Sequence, residues 1–334
     1  RGSSSGKVVQ TTFELPPVKP DEVLVKVTHS GLCGSDIHML SQPLVLGHEG
    51  KSTSMRIGIV EEVGSACSLF NVGDRVGWGL LNSTCGHCAF CLTGKDAYCP
   101  EGRNYGTVDF DTQGSLCSHA VRKEQWIFHV PDSMTSEDAG PLMCGGGTVW
   151  VPLIGHCKPY ERVGIVAIGG LGHLAIQFAA KMGCDVVVFS STEDKREEAM
   201  NLGASEFYPT RGVSDYATLG VTKPIDRLLI TSSVKFNLGI FYPILAKNAK
   251  IFPLSVDSGD LTAPYFLTVF CGHEIIGSCI CSRYLQDKML DFAARNGIHA
   301  IVEKFPMTRE GIQAAVDKLG SRKMRYRGVI GWDY

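Results

Sequence analysis

With 334 residues, 44% of them hydrophobic and 20% charged, the chain has the balance of a globular protein. At ~100–200 residues per domain, that length suits two domains. A net charge of −2 leaves no cationic excess to neutralise phosphates, which disfavours a nucleic-acid role. No apolar run approaches the ~18–20 residues of a membrane span. Residues 1–7 lead into no hydrophobic segment of a signal-peptide kind, so a cytoplasmic location is expected.

Along the chain, residues 23–27 (Val-Leu-Val-Lys-Val) read as a strand, and residues 57–63 and 73–76 as further strand and turn pieces. The stretch up to about residue 145 is predicted to be β-rich and irregular. Residues 162–168 then form an apolar run of strand length, followed by Gly169, Gly170, Leu171 and Gly172. Leu174, Ala175, Phe178, Ala179 and Met182 recur at helical spacing, with Gly183 as the stop. Residues 185–190 make a second buried strand, and a helix is predicted from Lys195 to Leu202, closed by Gly203. This strand, glycine turn, helix, strand order is a βαβ unit and implies a parallel sheet. Residues 228–230 and 250–254 continue as strands, and residues 324–331 read as a strand returning to the first domain.

The thirteen cysteines are clustered, not evenly paired, which argues for metal over a disulfide scaffold. Cys85, Cys88, Cys91 and Cys99 offer four thiolates within one loop, a closed tetrahedral set suited to structural zinc. A ferredoxin-type cluster begins with the same spacing and also ends in Cys-Pro. Its last gap is shorter than the one before Cys99, and no second cluster follows, so zinc is the favoured reading. Three further stretches have metal character: Cys33 to His38, Gly47-His48-Glu49, and Met143-Cys144-Gly145. Singly each is weak, because a lone Cys is usually a small hydrophobe. Two Cys and one His together match the Cys₂His set of a catalytic zinc with an open fourth position.

These motifs, with the run from Pro43 to Glu49, residues 72–77, residues 139–144, the Gly169–His173 turn and Arg325-Tyr326-Arg327, resemble the zinc-dependent medium-chain alcohol dehydrogenases over nearly the whole chain. The similarity is strongest to their cinnamyl-alcohol-dehydrogenase-like, NADP-dependent branch. The resemblance implies an α/β protein: a GroES-like irregular β catalytic domain over residues 1–145 carrying the zinc lobe at 85–99, a doubly wound Rossmann NADP-binding domain over 146–295, and a C-terminal return over 296–334. It implies two zinc ions per chain, a homodimer, and a cleft holding zinc, substrate and nicotinamide. Carried over residue by residue, Cys33, His48 and Cys144 bind the catalytic zinc, with Glu49 beside it as a substitute ligand. Asp36 orients the ring of His48, Ser35 accepts the alcohol proton, and His38 passes it towards solvent. The implied reaction is hydride transfer between NADP(H) and a primary alcohol or aldehyde.

The dinucleotide fingerprint wants three glycines, for the turn, for approach of the pyrophosphate and for helix packing. Here the frame reads Ala167, Gly169 and Gly172, so the first glycine is replaced; this tightens the turn and reduces affinity at most. Where NAD sites carry an acid at the end of the second strand, this chain has Ser190, Ser191 and Thr192, followed by Glu193, Asp194, Lys195 and Arg196. Small hydroxyls with Lys195 and Arg196 suit the 2′-phosphate of NADP(H).

Two departures from the family pattern flank the zinc set. Only Met39 to Gln42 bridge the His38 motif and Pro43, where relatives have a longer pocket wall. Residues 51–56 look inserted before the strand at Ile57. These motivate one rival reading, a zinc- and NADPH-binding relative impaired in catalysis; a second, a C=C or iminium reductase, follows from the resemblance, since some relatives reduce such bonds. Cysteines 67, 117, 157, 184, 271, 279 and 281 are read as buried or incidental thiols.

Overall fold

A computed structural model describes residues 7–34, 36, 55–104, 116–234, 237–255 and 259–334. The chain divides into two compact units, residues 1–147 with 280–334, and residues 148–279.

In the first unit β1 (Glu22–Leu32), β2 (Met55–Val63), β3 (Arg75–Trp78), β4 (Leu81–Ser83), β5 (Arg103–Asn104), β6 (His119–Lys123) and β7 (Phe128–His129) succeed one another in chain order. The second unit contributes β8 (Arg162–Val166), β9 (Asp185–Ser190), β10 (Glu206–Pro209), β11 (Ile225–Ile230), β12 (Leu245–Pro253) and β13 (Glu274–Ile275). The chain then returns through β14 (Val302–Pro306) and β15 (Arg327–Gly331).

The first unit's sheet runs β14-β15-β1-β2-β3-β7, with β6 also paired to β1. Alternation along β1 turns Val23, Val25 and Val27 inward and leaves Lys26 exposed. The three valines pack with Val60, Phe70, Val76, Trp78, Ala120 and Ile127 into one core. At period 2, each inward valine contributes ~2 kcal/mol of transfer free energy. The pairing of β1 with β2 slips between Val27 and His29. Bulges of this kind bend a strand and re-aim its continuation; here the strand leads to Cys33. The returning β15 lies antiparallel to β1 and parallel to β14.

The return starts earlier than the expected residue 296: the helix Arg283–Asn296 belongs to the first unit. Its side chains explain this. Arg283 pairs with Asp96 of the four-cysteine lobe at 3.2 Å. Gln286 donates to the Met143 sulfur at 3.6 Å, and Met289 is fully buried.

The second unit is a sheet of order β10-β9-β8-β11-β12-β13, parallel at each pairing. That is the 3-2-1-4-5-6 order of doubly wound dinucleotide folds. Helix Gly172–Lys181 buries Leu174, Ala175, Phe178 and Ala179, and Gly183 comes after it at φ 89°. The predicted helix from Lys195 is split: a 3₁₀ turn Glu193–Lys195 leads into a helix Arg196–Asn201. Among the described residues no helix is long and apolar enough to cross a membrane.

Candidate metal and coenzyme sites

The four-cysteine lobe is brought together by backbone alone. Cys88 precedes the one-turn helix Ala89–Leu92, which carries Cys91, and the 3₁₀ turn Asp96–Tyr98 delivers Cys99. The four sulfurs all lie within 4.8 Å of one another. Cys88 and Cys91 stand 3.6 Å apart, Cys85 and Cys99 3.6 Å, and Cys85 and Cys91 4.0 Å. A disulfide would need ~2 Å. A tetrahedron with zinc–sulfur bonds of ~2.3 Å has edges of ~3.8 Å, so the set fits a zinc ion. Backbone N–H groups of Cys88 and Cys85 point at the sulfurs of Cys85 and Cys99, at 3.3 and 3.5 Å, as thiolates require. A hydrogen bond with Thr84 draws the Cys91 thiol down to about 7 against the effect of burial. Cys99 goes the other way: the Cys85 backbone N–H pulls it down, but burial and proton sharing with Cys85 and Cys91 carry it to about 11.

The lobe is fastened from outside. Asp96, 3% exposed, accepts from the Arg283 backbone N–H at 3.3 Å and from its guanidinium at 3.2 and 3.4 Å. The same guanidinium lies 4.8 Å above the Trp126 ring.

Of the scattered zinc set, Cys33, Asp36 and Cys144 lie within the described residues. Ser35, His38, His48 and Glu49, and with them the short 39–42 bridge and residues 51–54, lie outside them. Cys33 comes directly after β1, and Cys144 sits in a π-helical turn, Leu142–Gly146. Such turns are frequent at functional sites. This one is locked by close packing: a side chain at Gly146 would meet Leu142 at 2.7 Å and Met289 at 3.0 Å. The thiols of Cys33 and Cys144 hydrogen-bond each other. That contact, then burial and the nearby Asp36 carboxylate, push the Cys33 thiol well above its ordinary range, while Arg327 pulls it back. Asp36, fully buried, accepts the Cys33 backbone N–H at 2.7 Å. The two thiols thus meet beside a buried carboxylate that is engaged with the Cys33 backbone N–H. Arg327 belongs to the Arg-Tyr-Arg motif, but nothing in the sequence ties it to Cys33; the pairing of β15 with the end of β1 does so.

In the second unit the turn after β8 contains Ala167 at φ 74°. Its carbonyl and that of Val166 accept from the Thr231 hydroxyl at 3.1 and 2.8 Å. A Cβ at Gly172 would sit 2.0 Å from the Ala167 carbonyl oxygen, so the helix can start this close only with glycine there. Gly169 faces open space. The helix begun at Gly172 has no side-chain cap and no acid in its first turn, which favours an anion at its start.

At the carboxyl end of β9, Ser190 is buried and Ser191 exposed. Lys195 donates to the Ile168 carbonyl at 2.6 Å, tying this turn to the glycine turn. Arg196 is turned elsewhere, ion-paired with Glu193 and 4.9 Å above the Phe207 ring. Sequence reasoning misses Arg211. Its backbone N–H donates to the Ser191 carbonyl at 3.1 Å. It stands just past β10, and only the pairing of β10 with β9 brings it there.

Residues 19–132 match the alcohol dehydrogenase GroES-like domain, and residues 170–295 the zinc-binding dehydrogenase domain. A probable formaldehyde dehydrogenase of Bacillus subtilis is 33% identical over 98% of this chain and 95% of its own length. Cinnamyl alcohol dehydrogenase 8 of Arabidopsis thaliana is 32% identical over 98% of this chain and 92% of its own. Among solved structures, a cinnamyl alcohol dehydrogenase from Sorghum bicolor superposes with a TM-score of 0.89 at 27% identity, covering 99% of this chain and 96% of the other. With both domains matched and similarity running almost end to end, the chain belongs to the zinc-type medium-chain alcohol dehydrogenases, an oxidoreductase family, in their cinnamyl-alcohol-dehydrogenase-like branch.

Proposed function

We propose that this protein interconverts a primary alcohol and its aldehyde with NADP(H), using one catalytic and one structural zinc ion. The observation that carries the reading is the meeting of the Cys33 and Cys144 thiols beside buried Asp36. Cys33, His48 and Cys144 hold the catalytic ion, with Glu49 next to it; Cys85, Cys88, Cys91 and Cys99 hold the structural one. Zinc in an open Cys₂His site polarises a carbonyl or acidifies an alcohol. Ser35 takes the alcohol proton and His38 hands it towards solvent, a task suited to a histidine titrating near neutrality. Gly169, Gly170, Leu171 and Gly172 receive the pyrophosphate. Ser190, Ser191, Thr192 and Lys195 form the ribose end, with Arg196 held beside it by Glu193.

A primary alcohol and its aldehyde are favoured because the named relatives carry in their names an aldehyde, formaldehyde, and a primary alcohol, cinnamyl alcohol. None of the thirteen cysteines is in a disulfide, which suits a reducing compartment such as the cytoplasm.

The test is zinc per chain together with NADPH oxidation against aromatic and aliphatic aldehydes. Two zinc ions and turnover that weakens sharply with NADH support the reading. One zinc ion and no turnover would reduce the protein to a folded four-cysteine lobe beside an idle site.

A further inference from the structure

We infer that Arg211, a residue outside the Ser-Ser-Thr-Lys-Arg stretch, supplies the positive charge that selects the 2′-phosphate of the coenzyme. The inference rests on the NADP(H) reading above and concerns which cation makes it work.

The turn after β9 is neutral as a whole. Glu193 and Asp194 offset Lys195 and Arg196 in sequence. The structure shows how: the Arg196 guanidinium is taken by Glu193 and by the face of Phe207. Lys195 already donates to the Ile168 carbonyl. A phosphate dianion bound there without another cation would meet two carboxylates and two engaged bases. Dianion binding calls for a net positive surrounding and charge-assisted donors.

Arg211 meets that need. Thr210 and Arg211 extend the β9–β10 pairing by one step each: the Thr210 N–H donates to the Ser190 carbonyl at 2.7 Å, and the Arg211 N–H to the Ser191 carbonyl at 3.1 Å. The Thr210 hydroxyl also donates to the Ser190 carbonyl, at 3.1 Å. Arg211 is therefore pinned by its backbone beside Ser191, at the ribose end. Its side chain is exposed. Among the described residues its guanidinium makes no ion pair, unlike that of Arg196. An arginine has the length and the planar donor fork to reach a phosphate one strand away. With Arg211 counted, the cluster of Glu193, Asp194, Lys195, Arg196 and Arg211 carries one net positive charge.

The experiment uses the zinc-loaded full chain and titration calorimetry with two probes that differ only in the phosphate at issue, 2′,5′-ADP and 5′-AMP. Arg211→Ser is expected to weaken 2′,5′-ADP about tenfold, as for an exposed charge-assisted contact, and to leave 5′-AMP unchanged. Arg211→Lys should retain most of the affinity. The salt dependence of 2′,5′-ADP binding should flatten in Arg211→Ser, because one screened charge contact is gone. Equal weakening of both probes, or no weakening, would overturn the role of Arg211 while wild type still prefers 2′,5′-ADP. A wild type that binds both probes equally would overturn the NADP(H) reading itself and this inference with it.

Discussion

Ala167 stands at φ 74°, where its Cβ crowds the following carbonyl. Left-handed backbone costs an L-residue ~1–2 kcal/mol that glycine avoids. Replacing it by glycine also loosens the unfolded chain, which returns ~0.5–1 kcal/mol of the gain. Ala167→Gly is therefore expected to stabilise the protein by ~0.5–1 kcal/mol, raising Tm by ~1–3 °C in a calorimetric scan. A lower Tm would mean that the surrounding hydrogen bonds, from Thr231 to the Val166 and Ala167 carbonyls, need the methyl group. The substitution is visible in the sequence, since the fingerprint wants glycine at that position. The sign of φ is not, because it depends on the close approach of Gly172 to the Ala167 carbonyl. The same holds for the cysteines. Four thiols at short spacing announce themselves, whereas the meeting of Cys33 with Cys144 rests on tertiary packing and is reached from the sequence only through the family resemblance.

The elements of the second unit are held at their amino ends by one buried arginine. Arg162 opens β8 and is 5% exposed. It pairs with Asp185 at the start of β9 and, at 2.6 Å, with Glu206 at the start of β10. It also donates to the Thr222 hydroxyl at 3.0 Å, and its backbone N–H donates to Asp226 of β11 at 2.9 Å. Burial pushes the Glu206 carboxyl up, but bonds from Arg162, Thr222 and Tyr208 outweigh it and hold it at about 2, below its ordinary 4.5. A carboxylate lowered in the fold stabilises fully above its unfolded pKa and loses that contribution as pH falls through the folded value. Glu206→Gln should thus cost ~1–2 kcal/mol at pH 7, discounted for partial solvent screening. The difference from wild type should shrink between pH ~5 and ~2, as the carboxylate that glutamine replaces becomes protonated. Urea denaturation at pH 7 and pH 3 measures it; a penalty that does not fall with pH would show that shape, not charge, joins these strands. The parallel strands are legible as continuous apolar runs. The charged clip is not, since its members are scattered singly between residues 162 and 226 and only strand order unites them.

At the scale of the whole molecule, one face of the second unit stands out. Helix Tyr265–Cys271 has no buried residue. It exposes Tyr265 by 86%, Phe266 by 70%, Val269 by 67% and Phe270 by 70%. The Phe266 and Phe270 rings stack on one another at 5.5 Å, so the patch is preorganised and not a set of loose side chains. Beside it, β13 is the two-residue edge of the sheet, reached from the helix after one turn. Contiguous exposed aromatic surface of this kind is costly in water and marks an interaction site. If the chain pairs as the family resemblance implies, this edge strand and the adjacent helix could meet their own copies about a two-fold axis and cover the face. Phe266→Glu with Phe270→Glu should leave the secondary structure intact by circular dichroism, since neither ring contributes to the core. The pair should convert the wild-type species to monomer in sedimentation velocity, because like charges then meet across the axis with their apolar cover gone. A wild type that sediments as a monomer, or a double variant that stays dimeric, would assign this face to a different partner. The resemblance implies a homodimer but does not say which face pairs, and only the fold reveals that these rings have no interior to enter.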